Sequence, residues 1–369
     1  MATPLLRAAV RLSLCVVTVI ACPLVATSAA ADGRHDLVVP RDYPTIQAAV
    51  DAADAGDRIA VRPGVYREQV VIDKDLSIVG SGDRRTTIRA PRTLTPGTDR
   101  ANSIVEINNG ASVSLSRLAV SGPGSGTCKN GALGSGVRVL EGAHLDLGHA
   151  AVTHITDTPV TPCPRSAVAV RIGTPTAGSG SATIRHTEIT GYQGAGVVVL
   201  GAASTATIEH STVTGHPRVS TNGIEFVARS RGRVSWSTVG DNECREPDPG
   251  CGPDFFSEVQ KAGILADSPG TVLRHNRIVG NQVGIHVSGG AADIGHNKIR
   301  RSSYVGIALE DGSFTVDRNR IRGGVHGVAV IASADTRAVL DGVRITRTSG
   351  APVQTFECCG FTATATQQR

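Results

Sequence analysis

The sequence predicts an all-β fold, a single-stranded right-handed parallel β-helix in which short strands wind as a solenoid around an apolar core. Two columns of residues and the composition predict it. Gly263, Gly284, Gly306 and Gly327 each precede an Ile or Val, at spacings of 21, 22 and 21 residues. Asn276, Asn297 and Asn319 recur at 21 and 22, each followed by a basic residue and Ile (Arg277-Ile278, Lys298-Ile299, Arg320-Ile321). A fixed period of this size means a solenoid, with roughly 21–22 residues per coil in the C-terminal half. The chain is 40% hydrophobic but only 3% aromatic, with one Met and 43 Gly. Its core must therefore be Val, Ile, Leu and Ala, residues that suit closely stacked strands.

A leucine-rich repeat has coils of similar length. It would show Leu at fixed positions and a helix or its equivalent in each coil. Here the fixed positions hold Ile and Val, and no part of the repeat has helical spacing. Stacked Asn side chains can also hydrogen-bond from coil to coil, as in cross-β ladders.

The elements follow in order. Residues 1–31 read as a signal peptide: Arg7 and Arg11 precede an apolar stretch from Leu12 to Val25, and Ala29-Ala30-Ala31 offers a cleavage site. The stretch is short for a membrane span, and nothing like a span follows. Val19-Ile20-Ala21-Cys22 also resembles a lipoprotein box, so anchoring at Cys22 is the alternative to secretion. The apolar run continues past Cys22, which favours simple cleavage. Residues 32–354 form the predicted β-helix. Within 44–54, Ile46, Ala49, Val50 and Ala53 have helical spacing, and a helix there would cap the open end of the core. Strands follow at Ile59 to Val61, Val70 to Ile72 and Leu76 to Val79. Looser repeats run from Val137 to Val239, with Thr187, Ser211 and Ser237 at the Asn position. Insertions interrupt them at Ser121 to Gly134, Thr156 to Arg165 and Asp241 to Gln260. Residues 355–369 read as the opposite cap followed by a frayed tail.

Export makes disulfides the expected state of the six cysteines beyond the signal. Cys128 and Cys163 lie in insertions before successive repeats, which stacking would bring together. Cys244 and Cys251 are close enough to staple one loop. The pairing of the adjacent Cys358 and Cys359 stays open. Removing Arg7 and Arg11 takes the formal charge from +5 to +3, which does not point to nucleic acid.

Thr45-Ile46-Gln47-Ala48-Ala49-Val50, Gly56-Asp57, Pro63-Gly64-Val65-Tyr66-Arg67-Glu68 and Ile78-Val79-Gly80 together resemble the opening block of the pectin-lyase-like β-helix superfamily. That block is similar to the N-termini of pectin methylesterases and NosD-like proteins, and the later repeats resemble those of polysaccharide lyases and mannuronan epimerases. The resemblance implies the fold over about residues 38 to 350. It leaves activity open, because one fold hosts many functions. Esterases of this type use a carboxylate pair and an Arg on adjacent coils. The nearest match, Gly252-Pro253-Asp254-Phe255-Phe256, lacks the glycine that should follow and sits in an insertion. The copper role linked to NosD-like proteins needs Met or His ligands, and the chain beyond the signal has no Met.

The repeat register supplies the candidate sites. With Ile264, Ile285, Ile307 and Val328 inward, alternation sends the residues two after each glycine outward, His286 and Glu225 among them. If the strand extends far enough, the residues two before the glycine, Lys261, Gln282 and Tyr304, point the same way. Asp267 and Glu310 lie four after it. Such a face fits proton abstraction from a uronate: His286 or Lys261 as base, Tyr304 as acid, Lys261 or a bound cation neutralising the carboxylate, with Glu225 beside them. A mixed polar row is also the ordinary exposed face of any β-helix. A second row, Arg277, Lys298, Arg320 and Arg344, occupies equivalent outward positions, with Arg300 and Arg322 two residues on. Stacked like charges repel unless an anion lies along them, and Arg suits carboxylates. A solvated basic edge that deters aggregation is the other reading. With so few aromatic rings for stacking on neutral sugars, charge is the handle for a glycan.

The sequence therefore leads to an exported protein that binds an acidic polysaccharide, with lyase or epimerase activity as the enzymatic form of that role. A non-catalytic cell-envelope or extracellular scaffold is the alternative, and an esterase-like hydrolase is third. No cofactor motif appears, though calcium is compatible. No nucleic-acid partner or membrane span is expected, and capped ends favour a monomer.

Overall fold

The computed structural model describes residues 36–95, 102–125, 132–158, 167–174, 179–216, 220–243, 254–256, 258, 261–290 and 292–368. The expected signal peptide with Cys22, and Cys128, Cys163, Cys244 and Cys251, lie outside these residues. No helix among the described residues is long and apolar enough to cross a membrane.

The described strands form three parallel sheets of 13, 11 and 11 strands, with one further two-stranded pair. Each coil visits the three long sheets in turn, here called I, II and III. One coil runs from Val272–Arg274 in sheet I through Arg277–Val279 in sheet II to Val283–Ser288 in sheet III. The next coil starts at Asp293–Gly295 in sheet I again. This is the parallel β-helix that the period predicts.

Register stacks like on like. In sheet III Ile264 pairs with Ile285, Ile285 with Ile307 and Ile307 with Val328. In sheet II Ile278, Ile299, Ile321 and Ile345 align. Ile264, Ile278, Ile285, Ile299, Ile307 and Val328 are fully buried. Each such side chain contributes about 1.5–3 kcal/mol on burial; contrary to the expectation of a purely aliphatic core, Tyr192 and Phe226 are also fully buried in it. The glycine column has a steric cause. A Cβ on Gly284 would lie 2.5 Å from the Gly306 carbonyl oxygen and 2.7 Å from Ile299 Cγ2, and one on Gly306 would meet Ile321 Cγ2 at 2.5 Å.

The Asn column forms the expected ladder. The Asn297 Oδ1 accepts from the Asn276 backbone N–H at 2.9 Å and from Asn276 Nδ2 at 3.1 Å. Asn319 Oδ1 does the same for Asn297, at 2.9 and 3.0 Å. Ser237 and Ser211 continue the column toward the N-terminus: Ser237 Oγ accepts from the Ser211 N–H, and Ser211 Oγ from the Thr187 N–H. The ladder holds a strained corner. The residue before each ladder position has positive φ, 60° at His275, 57° at His296 and 47° at Arg318, a conformation that costs about 1–2 kcal/mol for a non-glycine residue.

The capping helix spans Ile46–Ala52, inside the expected 44–54, and buries Ile46, Ala49 and Val50. Thr45 caps it, its Oγ1 accepting from the Ala48 N–H at 3.1 Å. Glu68, from the Tyr66-Arg67-Glu68 block, accepts from the Ile46 and Gln47 N–H groups at 3.0 and 2.8 Å. One carboxylate thus satisfies two of the donors that a helix start leaves unpaired.

At the other end, Val353–Glu357 joins sheet III and Ala363–Gln368 joins sheet I. The boundary expected at residue 354 falls inside the first of these strands, and the segment read as a cap with a frayed end completes that strand and supplies the second. Cys358 and Cys359, in the turn between those strands, are bonded to each other.

Candidate functional site

The outer face of sheet III carries the first candidate set. The register places Glu225 beside Leu265, Leu265 beside His286 and His286 beside Ala308, so the row two after each glycine faces out as expected. Glu225 stands two strands from His286, about 9.6 Å at the usual strand spacing of about 4.8 Å. Its Oε1 accepts from Asn222 Nδ2 at 2.9 Å. Glu225 and His286 therefore do not share one point of action.

Before the glycine the expectation needs correction. Lys261 and Gln282 are buried, 8% and 5% exposed. Gln282 Oε1 accepts from the Lys261 backbone N–H at 2.7 Å. The outward residues are instead those immediately before the glycine. Ala262, Val283 and Val305 form an apolar cluster with Ala308, Ala329 and Ile331, packed by Leu265, Tyr304, Phe255 and Phe356. Ladder pairing runs from Ala262↔Val283 directly to Ile264↔Ile285, skipping the glycine. The close approach at this column breaks the alternation that a regular strand would keep.

His286 and Glu310 come together, while Tyr304 meets neither directly and is linked to His286 through Phe255. His286 Nε2 lies 3.1 Å from Glu310 Oε2, with side chains 14% and 21% exposed. Ser333 Oγ donates to the other Glu310 oxygen at 3.1 Å. The His286 hydrogen bond holds the Glu310 carboxyl below the usual glutamate range, against burial, with the Ser333 bond as a smaller cause. Asp267 Oδ1 accepts from Ser288 Oγ at 3.3 Å. Phe255, from the insertion before this coil, bridges the group. Its ring centroid is 5.9 Å from that of His286, 5.3 Å from Tyr304 and 5.5 Å from Phe356. Tyr304 also meets His326 at 6.0 Å. Burial, then the charge of Asp254, pushes the Tyr304 phenol up, so it carries its proton at neutral pH. Glu310 engages His286 Nε2, so a proton taken from a ligand would go to Nδ1. His286 and Glu310 form an oriented imidazole–carboxylate pair, with Phe255 between it and Tyr304.

Among the described residues Asp254 stands in no esterase-like pair with a carboxylate of an adjacent coil. Its Oδ1 accepts from the Phe256 N–H at 2.9 Å, and the carboxylate beside it, Glu258, comes from the same turn and not from an adjacent coil. Among the described residues no group of three or more His, Cys, Asp or Glu side chains is arranged to hold a metal ion.

The second candidate set lies on sheet II. Arg277 pairs with Lys298, Lys298 with Arg320 and Arg320 with Arg344, while Arg300 aligns with Arg322. All six are exposed. Among the described residues none has an ion pair, and none is among those with further partners. Only Arg344 lies on the terminal strand of the sheet. Protection of an edge against aggregation accounts for that one residue and not for those on interior strands. The two sets occupy different sheets, so the expected acid–base group and the expected binding row do not share a groove.

Sequence reasoning missed Phe255, Phe356, His326 and Ser333. Phe255 sits in an insertion outside the repeat, and His326 at the position before the glycine that the alternation misplaced. It also missed a column of rings at the corner entering sheet II: His149, His186, His210, Trp236, His275 and His296, stacked in that order. The signal was present, because each ring immediately precedes a position of the Asn/Ser/Thr column or its equivalent, Ala150.

The family model for the right-handed β-helix region matches residues 103–335 and again 262–366. The chain is similar in structure to an alginate lyase from Paenibacillus sp., at 13% identity and a TM-score of 0.48, covering 84% of this chain and 96% of that one. It is also similar to the A-module of an Azotobacter vinelandii mannuronan C-5 epimerase (14% identity, TM-score 0.48, 88% and 94% covered). A third likeness is to the catalytic domain of a GH87 α-1,3-glucanase in complex with tetrasaccharides (13%, 0.47, 92% and 69%). No curated protein matches the sequence.

Proposed function

This chain belongs to the right-handed β-helix family, and from that premise we propose that it is an exported protein that binds an acidic polysaccharide along sheet II. One observation carries the reading: six exposed basic side chains in register over four coils, without an acidic partner among the described residues. Like charges directly opposite one another on a sheet destabilise it, and a linear polyanion laid across the strands removes that repulsion. Arginine, five of the six, can also grip carboxylates or sulfates through two parallel hydrogen bonds. Polysaccharides of the uronate class carry such groups at each repeat.

A second reading, lyase or epimerase, draws support from the His286–Glu310 pair, with Tyr304 across the Phe255 ring from it. In it His286 is the base, oriented by Glu310, and protonated Tyr304 is the acid. The polymer would then have to cross sheet III as well as sheet II.

One experiment tests binding and lyase activity together. The purified protein is mixed with polygalacturonate, alginate and glycosaminoglycans, with and without calcium. Retention of the polymer is measured together with the ultraviolet absorbance of unsaturated uronate products. Binding without absorbance change removes the lyase and leaves the scaffold and epimerase forms standing. An absorbance rise abolished by His286→Ala or Tyr304→Phe establishes the lyase. No binding to any of these polymers overturns the proposal.

A further inference from the structure

The ring column at the corner between sheets I and II has no part in the function proposed so far. From His149 to His296 the centroid separations are 4.9, 5.2, 6.4, 4.3 and 4.9 Å, and no interplanar angle exceeds 13°. All six residues have positive φ, and Arg117 and Arg318 occupy the same corner position at the two ends of the stack. Each interior ring has its faces covered by its neighbours, so the polar edges meet solvent. Five of the six rings are imidazoles.

The column borders the basic strip. His275 stands two residues before Arg277, His296 before Lys298 and Arg318 before Arg320, with a buried ladder Asn between each pair. Charged groups around the column are as follows. Asp83 and Arg117 line an open depression with His149 and His186. Arg185 is paired with Glu209 at 3.4 Å beside His186 and His210, and Glu188 lies two residues beyond His186. Arg274, beside His275, is paired with Asp293 at 2.6 Å and lies 3.6 Å from Asp317. Asp317 also lies 3.3 Å from His296 Nε2 and 3.5 Å from Arg318. Among the described residues only His296 of the five has a carboxylate within ion-pair distance.

We propose that this histidine column is a proton-gated anion-binding ladder that continues the sheet II strip, so that a linear polyanion binds more tightly as the pH falls. The proposal rests on the strip reading. Imidazoles gain protons within about pH 5–8. Protonated rings about 5 Å apart on a stack repel one another, and an anionic chain along their edges relieves the repulsion. Bound polymer and bound protons then favour each other, so affinity rises as pH falls. His275 is held below the usual imidazole range by burial and then by the charges of His296 and Arg274.

The test uses dextran sulfate, whose sulfate esters keep their charge over this pH range. Binding is followed by the fluorescence of Trp236, the single Trp, which sits inside the column 4.3 Å from His275. Two or three added contacts of the exposed type amount to roughly a tenfold lower Kd at about pH 5.5 than at about pH 7.5. The variant carries Asn at positions 186, 210, 275 and 296, because Asn tolerates positive φ and does not titrate. Its ratio of Kd between the two pH values should fall to about one to two, His149 being the one imidazole of the column left. The single changes His275→Asn and His296→Asn should each lower the ratio by about two- to threefold, which covers loss of folding in the fourfold variant. A flat ratio in the unaltered protein, or an undiminished ratio in the Asn variants, overturns the gate and leaves the strip standing. Absence of binding at both pH values overturns the strip reading and the gate with it.

Discussion

Replacing Asn297 by Ala should be among the most destabilising single changes in the molecule. The Asn297 side chain is fully buried. Its Oδ1 accepts two hydrogen bonds from Asn276, and its Nδ2 donates to the Leu273 carbonyl at 2.8 Å and to Asn319 Oδ1 at 3.0 Å. Alanine leaves the Asn276 N–H and the Leu273 carbonyl without these partners inside the wall of the solenoid. Asn276 Nδ2 keeps the Val234 carbonyl at 2.8 Å, and Asn319 Oδ1 keeps the Asn297 backbone N–H. At about 1–3 kcal/mol for each orphaned buried group, the loss is about 2–5 kcal/mol. Serine gives an internal control. At the equivalent position Ser237 Oγ accepts from the Ser211 N–H at 3.2 Å and donates to the Ser235 carbonyl at 2.9 Å. Asn297→Ser should therefore recover the contact with the Asn276 N–H and lose only about 1–2 kcal/mol. Urea unfolding followed by far-ultraviolet circular dichroism and by Trp236 fluorescence measures both variants. A loss below about 1 kcal/mol for the Ala variant, or equal losses for Ala and Ser, would refute the reasoning that the ladder carries this corner.

Three other outcomes are expected. Gly284→Ala should destabilise by about 2–3 kcal/mol or prevent folding, since its Cβ would meet the Gly306 carbonyl oxygen and Ile299 Cγ2 inside contact distance; an unchanged melting temperature would contradict this. Glu310 has its folded pKa depressed, chiefly by His286, so its stabilisation is present above the ordinary glutamate pKa of about 4.3 and is lost as pH falls through the lower folded value. Thermal melts of the wild type and Glu310→Gln should differ by about 1 kcal/mol near neutral pH and converge in acid, whereas a gap that widens in acid would reverse the sign. Phe255→Ala should uncover Tyr304 and let its phenol titrate nearer the ordinary value of about 10, because burial is the first cause of its upward shift. Tyrosine absorbance titrations, read as differences against Tyr304→Phe, check this.

The fold was legible because the solenoid repeats its requirements every coil. A column that must lack a Cβ appears as Gly263, Gly284, Gly306 and Gly327, and a column that must bond to the next coil as Asn276, Asn297 and Asn319. The basic strip was legible for the same reason, since Arg277, Lys298, Arg320 and Arg344 keep one offset from the Asn column. The sheet III set was only partly legible. His286 and Glu310 follow the alternation after the glycine, but Lys261 and Gln282 lie before it, where ladder pairing skips a residue. Phe255 comes from a non-repeating insertion, so no periodicity announced its place over His286 and Tyr304. The ring column was written beside the Asn column, but a histidine at a left-handed corner carries no periodic hydrophobic signal.

The most direct measurement of the central claim is the salt dependence of binding to an acidic polysaccharide, for the unaltered protein and for Arg277→Gln/Arg320→Gln/Arg344→Gln. If the polymer lies on the sheet II strip, the logarithm of the affinity should fall linearly with the logarithm of salt concentration. The triple variant should bind at least about tenfold more weakly, with a slope smaller by roughly two to three. A variant that binds with unchanged affinity and slope would place the polymer elsewhere on the molecule and contradict the account.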